Sequence, residues 1–410
     1  MAAFPMVPVG FATEVMLGKM VTNTPKNSND VLQRYVHAAN IRDYGILDME
    51  HSEREMWFTK SEACALDIRA GDLLLAEGGA SGKPAIALED LENCGFQNSV
   101  LRVRKIDGLS EPRYLLYVFL SAFLEGNFAR LINTVSISHL PAEKLSRFRI
   151  PLPDIETQRR IANYLDHETK QIDTLVAELD EYVELLESRK LRSVTQAVSH
   201  GIPDSETMAS HPKVKLHFFS RFVSGTGFPI DEQGVTDQQY PFYKVSSLSK
   251  VAADGLTIID KANSVSAEKA RQLSATLIPP ASAIVAKIGE AVRLKKVRIN
   301  QYTCCIDNNM LALIPRQDSI CTRFFPYALS ILNIDLILNP GTVPTLNMST
   351  LRNYGIPLPD LDTQHRIADF LDEETAKTDT IITECIELKE LLLKRRQVLI
   401  TDVVTGKVEV

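Results

Sequence analysis

The chain has 410 residues, 45% of them hydrophobic and 24% charged, the balance of a globular protein with room for several domains. Its formal net charge of −7 argues against a basic, nucleic-acid-coating surface spread over the whole chain. No run approaches the ~20 apolar residues of a membrane span. Met1 to Lys19 lacks a charged start followed by an apolar run, so no secretory leader is expected.

Residues 1–150 read as a first domain with 16 basic and 18 acidic side chains. Apolar strand-like runs enclose a glycine-bearing loop, Gly71-Asp72 onward to Gly78-Gly79-Ala80-Ser81-Gly82-Lys83. A strand follows the polar pair Gln97-Asn98, then an apolar helix-like stretch, Arg113–Leu124, then Thr134-Val135-Ser136-Ile137-Ser138. The loop is not a nucleotide-binding P-loop. The spacing before Gly82-Lys83 is one residue short, and Pro84 stands where a magnesium-binding Ser or Thr belongs. Small residues there still let a phosphate approach the backbone. Lone Trp57 reads as core or rim.

Residues 151–204 change character. Pro151-Leu152-Pro153 ends the preceding element. Asp154 or Thr157 then serves as an N-cap. Apolar residues recur at helical spacing through Ile161, Leu165, Ile172, Leu175, Leu179, Val183 and Leu186, with no Pro or Gly from Leu165 to Ser199. This predicts one helix of roughly 40 residues, about 60 Å long. Its single seam needs a partner strip.

Residues 205–355 repeat the plan of the first domain, with 15 basic and 11 acidic side chains over residues 205–350. The loop here is Ala283 to Arg293, the strand after Asp307-Asn308-Asn309 starts at Met310, and the helix-like stretch is Arg323–Leu338. Thr342-Val343-Pro344-Thr345-Leu346-Asn347 closes the domain as residues 134–138 close the first. Asn98 and Asn309 read as turn residues. Both domains read as α+β, alike in plan and different in detail.

Residues 356–410 return to the helix. Residues 356–375, IPLPDLDTQHRIADFLDEET, match residues 150–169, IPLPDIETQRRIANYLDHET, at fourteen of twenty positions. The segment is a duplication. Asp360 or Thr363 is the N-cap, and the predicted seam is Ile367, Leu371, Ile381, Cys385, Leu388, and Leu391 or Leu392. Duplication predicts a pseudo-two-fold relation and antiparallel helices. Residues 151–204 and 351–410 are acidic, net −5 and −4, whereas residues 205–350 are net +4. Acidic helices suit a basic protein partner and leave the domains to face DNA.

Catalytic signatures are missing. The sequence holds no HExxH, GxSxG, GxGxxG or Asn/Asp-Pro-Pro-aromatic motif. Acidic groups such as Asp372-Glu373-Glu374 read as a solvated helix face. Cys64, Cys94, Cys304, Cys305, Cys321 and Cys385 form no CxxC pair and read as buried, reduced thiols of a cytoplasmic protein; no metal site is expected.

The order domain, PLPDIETQRRIANYLDHET helix, domain, PLPDLDTQHRIADFLDEET helix resembles the specificity subunits of type I restriction-modification enzymes over essentially the whole chain. Val214-Lys215-Leu216 with Ser224-Gly225-Thr226-Gly227-Phe228-Pro229 resembles the opening of a recognition domain in that family. Val15-Met16-Leu17-Gly18-Lys19 is the poorer equivalent in the first domain. The resemblance implies two α+β target recognition domains, related by a pseudo-two-fold and separated by two long antiparallel helices in a coiled coil. Residues 1–150 and 205–355 would each read half of a bipartite double-stranded DNA site. Residues 151–204 and 356–410 would set the spacer and dock two modification subunits; a restriction subunit can join. The chain itself would be non-catalytic and hold no cofactor. The modification subunits would methylate adenine N6 with S-adenosylmethionine, and the restriction subunit would use ATP and magnesium in a DNA endonuclease.

For DNA contacts the residue types point to Ser81 and Lys83 in the first domain, and to Lys287, Arg293, Lys295, Lys296 and Arg298 in the second, with Lys244 and Thr345 beside them. The predicted helix-partner residues are Ile161, Leu165, Ile172, Leu179 and Leu186, and Ile367, Leu371, Ile381, Leu388 and Leu392. Two competing readings are a coiled-coil scaffold that does not read DNA, which the acidic charge favours, and a self-contained nuclease-methyltransferase, which the missing motifs oppose.

Overall fold

A computed structural model describes residues 4–50, 54–78, 80–131, 139–203 and 210–410. Thr134-Val135-Ser136-Ile137-Ser138, Gly79 and the 204/205 boundary lie outside them. The chain divides into two compact units, Met1–Asp180 with Ile386–Val410, and Glu181–Cys385. Among the described residues no helix is long and apolar enough to cross a membrane.

In the first unit, β1 (Met6–Pro8) leads through the one-turn α1 (Val9–Ala12) into β2 (Thr13–Leu17). Two layers follow. β3 (Val31–Val36) lies between β4 (Glu55–Phe58) and a later strand, and α2 (Lys60–Ala65) starts on a capping box of Thr59 and Glu62. β5 (Leu73–Ala76), β6 (Pro84–Ile86), β7 (Cys94–Phe96) and β8 (Val100–Lys105) complete sheets ordered β2-β8-β5-β6 and β4-β3-β7. The apolar α3 (Pro112–Leu124) covers the first sheet. The short α4 (Ala142–Arg147) leads to β9 (Arg149–Pro151), which pairs antiparallel with β1. The long α5 (Ile155–His200) follows.

The second unit repeats this order: β10 (Lys213–Lys215), α6 (Leu216–Phe219), β11 (Ser220–Ser224), β12 (Tyr240–Tyr243), β13 (Thr257–Ile258), β14 (Ser264–Val265), α7 (Ala267–Gln272) and β15 (Ala283–Ala286). β16 (Arg298–Asn300), β17 (Cys305–Ile306), β18 (Met310–Pro315), α8 (Phe324–Ser330), α9 (Met348–Asn353), β19 (Gly355–Pro357) and the long α10 (Leu361–Val404) follow. Its sheets are ordered β11-β18-β15-β16-β13 and β14-β12-β17, and β10 pairs with β19 as β1 does with β9.

The duplicate strands correct one sequence alignment. Val214-Lys215-Leu216 corresponds to Val7-Pro8-Val9, not to Val15-Met16-Leu17. Each segment pairs with the strand entering the Pro-Leu-Pro motif. Gly18 and Gly225 are the true equivalents. A Cβ on either would sit 2.3 Å from the Gln97 carbonyl oxygen or 2.0 Å from that of Asp307, so only glycine fits. The helix expected over 323–338 is also broken. Ser330 donates its hydroxyl to the Tyr327 carbonyl, and Asn333 caps a separate 3-10 turn, Ile334–Ile337. Such local bonds compete with helix continuation.

α5 and α10 contain 46 and 44 residues. Asp154 and Asp360 are the N-caps, each accepting the backbone N–H of the threonine three residues on. These bonds hold both carboxylates below their ordinary range. The ion pairs fix the helix direction. In the first unit Asp173 meets Arg396 and Asp180 meets Lys389; in the second, Lys190 meets Asp379. Partners advance on α5 as they retreat on α10, so the helices are antiparallel.

Each unit's core takes residues from both helices. The first contains Ile161, Ala162 and Leu165 of α5 with Ile400, Val403 and Val404 of α10. The second contains Ile367, Ala368 and Leu371 of α10 with Val194, Ala197 and Val198 of α5. Ile172 and Leu186 are buried along the helices, and Leu179 and Leu392 are half-buried.

Ile381 and Leu388 are not seam residues: they are 38% and 48% exposed. The α10 seam runs one residue later, through Thr375, Thr378, Ile382, Cys385, Lys389, Leu392 and Arg396, all buried or half-buried. Three- and four-residue steps keep these positions on one face, and one residue off that line is a turn of about 100°. Ion-paired Lys389 and Arg396 occupy seam positions that an apolar pattern misses. Cys64 is exposed, against the expectation of six buried thiols, whereas burial pushes the Cys94 and Cys305 thiols up to about 11.

Candidate nucleic-acid interface

The duplication separates what both copies need from what each does alone. The shared chemistry attaches each domain to its helix. In the first unit the buried Gln158 accepts the Glu111 N–H at 2.9 Å and donates to the Leu109 and Pro153 carbonyls. In the second, Gln364 accepts the Cys321 N–H at 2.8 Å and donates to the Ser319 and Pro359 carbonyls. A four-residue clamp accompanies each. Arg113 pairs with Asp166, and the Tyr117 hydroxyl donates to Asp166 at 2.8 Å and lies 3.1 Å from Thr169. Arg323 pairs with Asp372, while Tyr327 is 2.7 Å from Asp372 and 3.2 Å from Thr375. Burial raises both tyrosine pKa values well above the ordinary range, so both stay donors. Asp372 is thus a docking group, not merely a solvated one. Gln158, Asp166 and Thr169, with their counterparts Gln364, Asp372 and Thr375, fall inside the repeated motif, and their invariance between copies was the signal for them; Arg113, Tyr117, Arg323 and Tyr327 lie outside it.

The loops where the copies differ hold the predicted DNA residues. Both loops start from an inner strand of the larger sheet, β5 or β15, and rest on the segment preceding the last short helix. In the first unit Gly78 bridges to His139, and Leu140 donates to the Glu77 carbonyl at 2.9 Å. In the second, Ile288 bridges to Thr345, Leu346 donates to the Lys287 carbonyl at 3.0 Å, and Gly289 donates to the Pro344 carbonyl at 2.8 Å.

Ser81 is buried and donates its hydroxyl to the Glu77 carbonyl, which closes the turn; this places it inside the loop and not on its surface. Lys83 reaches Asp43 at 2.7 Å beside an open cleft also lined by Arg42, Tyr44, Gly78 and Ala80. Arg298 is likewise structural. Its guanidinium donates to the Leu248 and Val297 carbonyls, and burial lowers its pKa, with Asp254 opposing that shift. The remaining candidates are available. Lys287 and Lys295 make no side-chain hydrogen bond or ion pair among the described residues. Lys296 reaches the Ser249 hydroxyl at 2.8 Å, and Lys244 reaches Gln233 at 2.6 Å. Arg293 keeps loose pairs with Glu290 and Asp335 at 3.6 and 3.7 Å. Thr345 donates to the Val343 carbonyl and shapes the opposing loop. Arg293 and Lys295 are exposed, whereas Lys244, Lys287 and Lys296 are half-buried; exposed cations exchange loose partners for phosphate at little cost.

The family model of the type I restriction modification DNA specificity domain matches residues 58–184 and 229–390, one copy in each half of the chain. The chain belongs to this family. It is similar to the type I restriction enzyme EcoBI specificity subunit of Escherichia coli, with 23% identity over 300 residues, 68% of this chain and 63% of that subunit. The chain therefore spans less than two thirds of the E. coli subunit. It is also similar to the type I restriction enzyme MjaIX specificity subunit of Methanocaldococcus jannaschii, 23% identical over 381 residues, 88% of this chain and 85% of that subunit. A chain solved in work on complex assembly and conformational transition of the type I R-M system has the same fold, with a TM-score of 0.76 at 18% identity over 100% of this chain and 99% of that one. The HsdS subunit of Thermoanaerobacter tengcongensis gives 0.53 at 18% identity, covering 99% of this chain and 97% of the other. Within the specificity-domain family the two-copy layout is explained: each copy is a domain with its helix.

Proposed function

We propose that this chain is the DNA specificity subunit of a type I restriction-modification complex. Each domain reads one half of a bipartite duplex site, and the paired helices set the unread spacer. The observation that carries this reading is the duplication itself: identical docking chemistry holds two domains on the helices, while their loops diverge. A scaffold with no reading role gives no reason for that contrast.

The catalytic steps belong to partners. Two modification subunits would supply S-adenosylmethionine-dependent methylation of adenine N6, and a restriction subunit would supply ATP- and magnesium-dependent cleavage. This chain then needs no cofactor, and it works in the cytoplasm, where the DNA is. The exposed aliphatics Leu388 and Leu391 and the acidic helix surface support docking of a basic partner.

The test is co-expression with the modification subunits. Affinity capture of this chain brings down the methyltransferase, and methylated adenines appear in a split motif only when this chain is present. Leu388→Ser weakens capture and leaves the chain folded. Methylation independent of the chain would sink the proposal.

A further inference from the structure

The second domain carries an exposed aliphatic group on each of three adjoining loops, and every loop is pinned by a buried neighbour. Leu294 is 63% exposed on the loop held by buried Val292. Leu336 is 64% exposed in the 3-10 turn held by buried Ile337. Val343 is 58% exposed on the loop held by buried Pro344 and Leu346. The loops touch through the Gly289–Pro344 and Lys287–Leu346 backbone bonds and the Arg293–Asp335 pair. Their anchors Val292, Ile337 and Leu346 line one small apolar cavity, so the three loops share a floor.

Scattered exposed aliphatics need no explanation, but three on adjoining, anchored loops do. Their surroundings identify the occupant. Lys287, Arg293, Lys295 and Lys296 lie on the first of these loops, within residues 205–350 of net charge +4. A cationic rim around an aliphatic centre matches a DNA groove with phosphates at its edges. In the major groove the one apolar group offered by a base pair is the 5-methyl of thymine. Val343 is suited to meet it. Pro344 restricts the Val343 backbone to extended conformations, so little entropy is lost when the side chain is fixed.

We propose that Val343, with Leu294 and Leu336 beside it, forms an aliphatic reading surface that selects thymine in the half-site bound by the second domain. The inference rests on the specificity-subunit reading and adds the base class and the residues. It also requires that this half-site contain thymine.

The experiment uses the complete modification complex and duplexes of its mapped target, with uracil replacing thymine in one half and then the other. Uracil keeps the hydrogen-bonding edge and removes only the methyl. Wild-type complex binds about fourfold more weakly with uracil in one half only, the equivalent of about 0.8 kcal/mol for one buried methyl. Val343→Ser, a change at an exposed position, binds thymine and uracil duplexes equally, and Leu294→Ser narrows the difference. Equal wild-type binding of both duplexes overturns the inference, as does a Val343→Ser complex that still discriminates fourfold. A half-site without thymine also overturns it, as does loss of methyltransferase capture with DNA binding intact, which would mark a protein-docking patch. Failure of the wild-type complex to prefer its mapped target over unrelated duplex would instead defeat the specificity reading itself.

Discussion

At the scale of single residues, the shared side chains are the ones whose loss hurts most. Gln158 and Gln364 each satisfy an N–H and two carbonyls at the domain–helix joint. Truncation leaves those groups buried and unpaired, at about 1–3 kcal/mol. Gln364→Ala is expected to lower unfolding stability by that amount in a denaturant titration. The DNA candidates divide differently. Lys295→Ala should leave stability unchanged and reduce the salt slope of DNA binding by about one unit, with sequence preference intact. Arg298→Ala should instead destabilise the second domain by about 1–3 kcal/mol, because the Leu248 carbonyl loses its donor. Paired salt titrations and melting curves separate the two. In the sequence Lys295 and Arg298 look alike, two basic residues three apart. Burial, which the sequence does not display there, sets them apart.

At the scale of elements, the helices were legible in their caps, their length and their lack of Pro and Gly. Their seam was only half legible. On α5 it is apolar through Ile172, Leu179 and Leu186, which the spacing finds, although Leu175, read into the same seam, is exposed. On α10, Lys389 and Arg396 occupy seam positions through ion pairs with Asp180 and Asp173, and the apolar pattern drifted to Ile381 and Leu388. Aligning the two copies by the repeat would have corrected this, since Lys389 matches Val183 and Leu392 matches Leu186. The paired register makes a spacer prediction. One heptad inserted between Asp180 and Glu181 and another between Leu388 and Lys389 keeps the seam in phase and adds about 10 Å to each helix. The spacer between half-sites should lengthen by about three base pairs at about 3.4 Å each, with both half-sites unchanged. Mapping methylated adenines reads the spacer directly.

At the scale of the whole molecule, the account divides labour between a repeated frame and two divergent loop sets. The frame was visible early because fourteen of twenty residues recur at the Pro-Leu-Pro motif. The loop contacts were not, because a base contact depends on which side chains the fold leaves outside: Ser81 is buried and Val343 is exposed. The most direct test of the division replaces residues 213–357 with the corresponding domain of another member of the family and maps adenine methylation in cells supplying the modification subunits. The account predicts that one half of the split motif changes, while the other half and the spacer persist. An unchanged motif, or one altered in both halves, would contradict it.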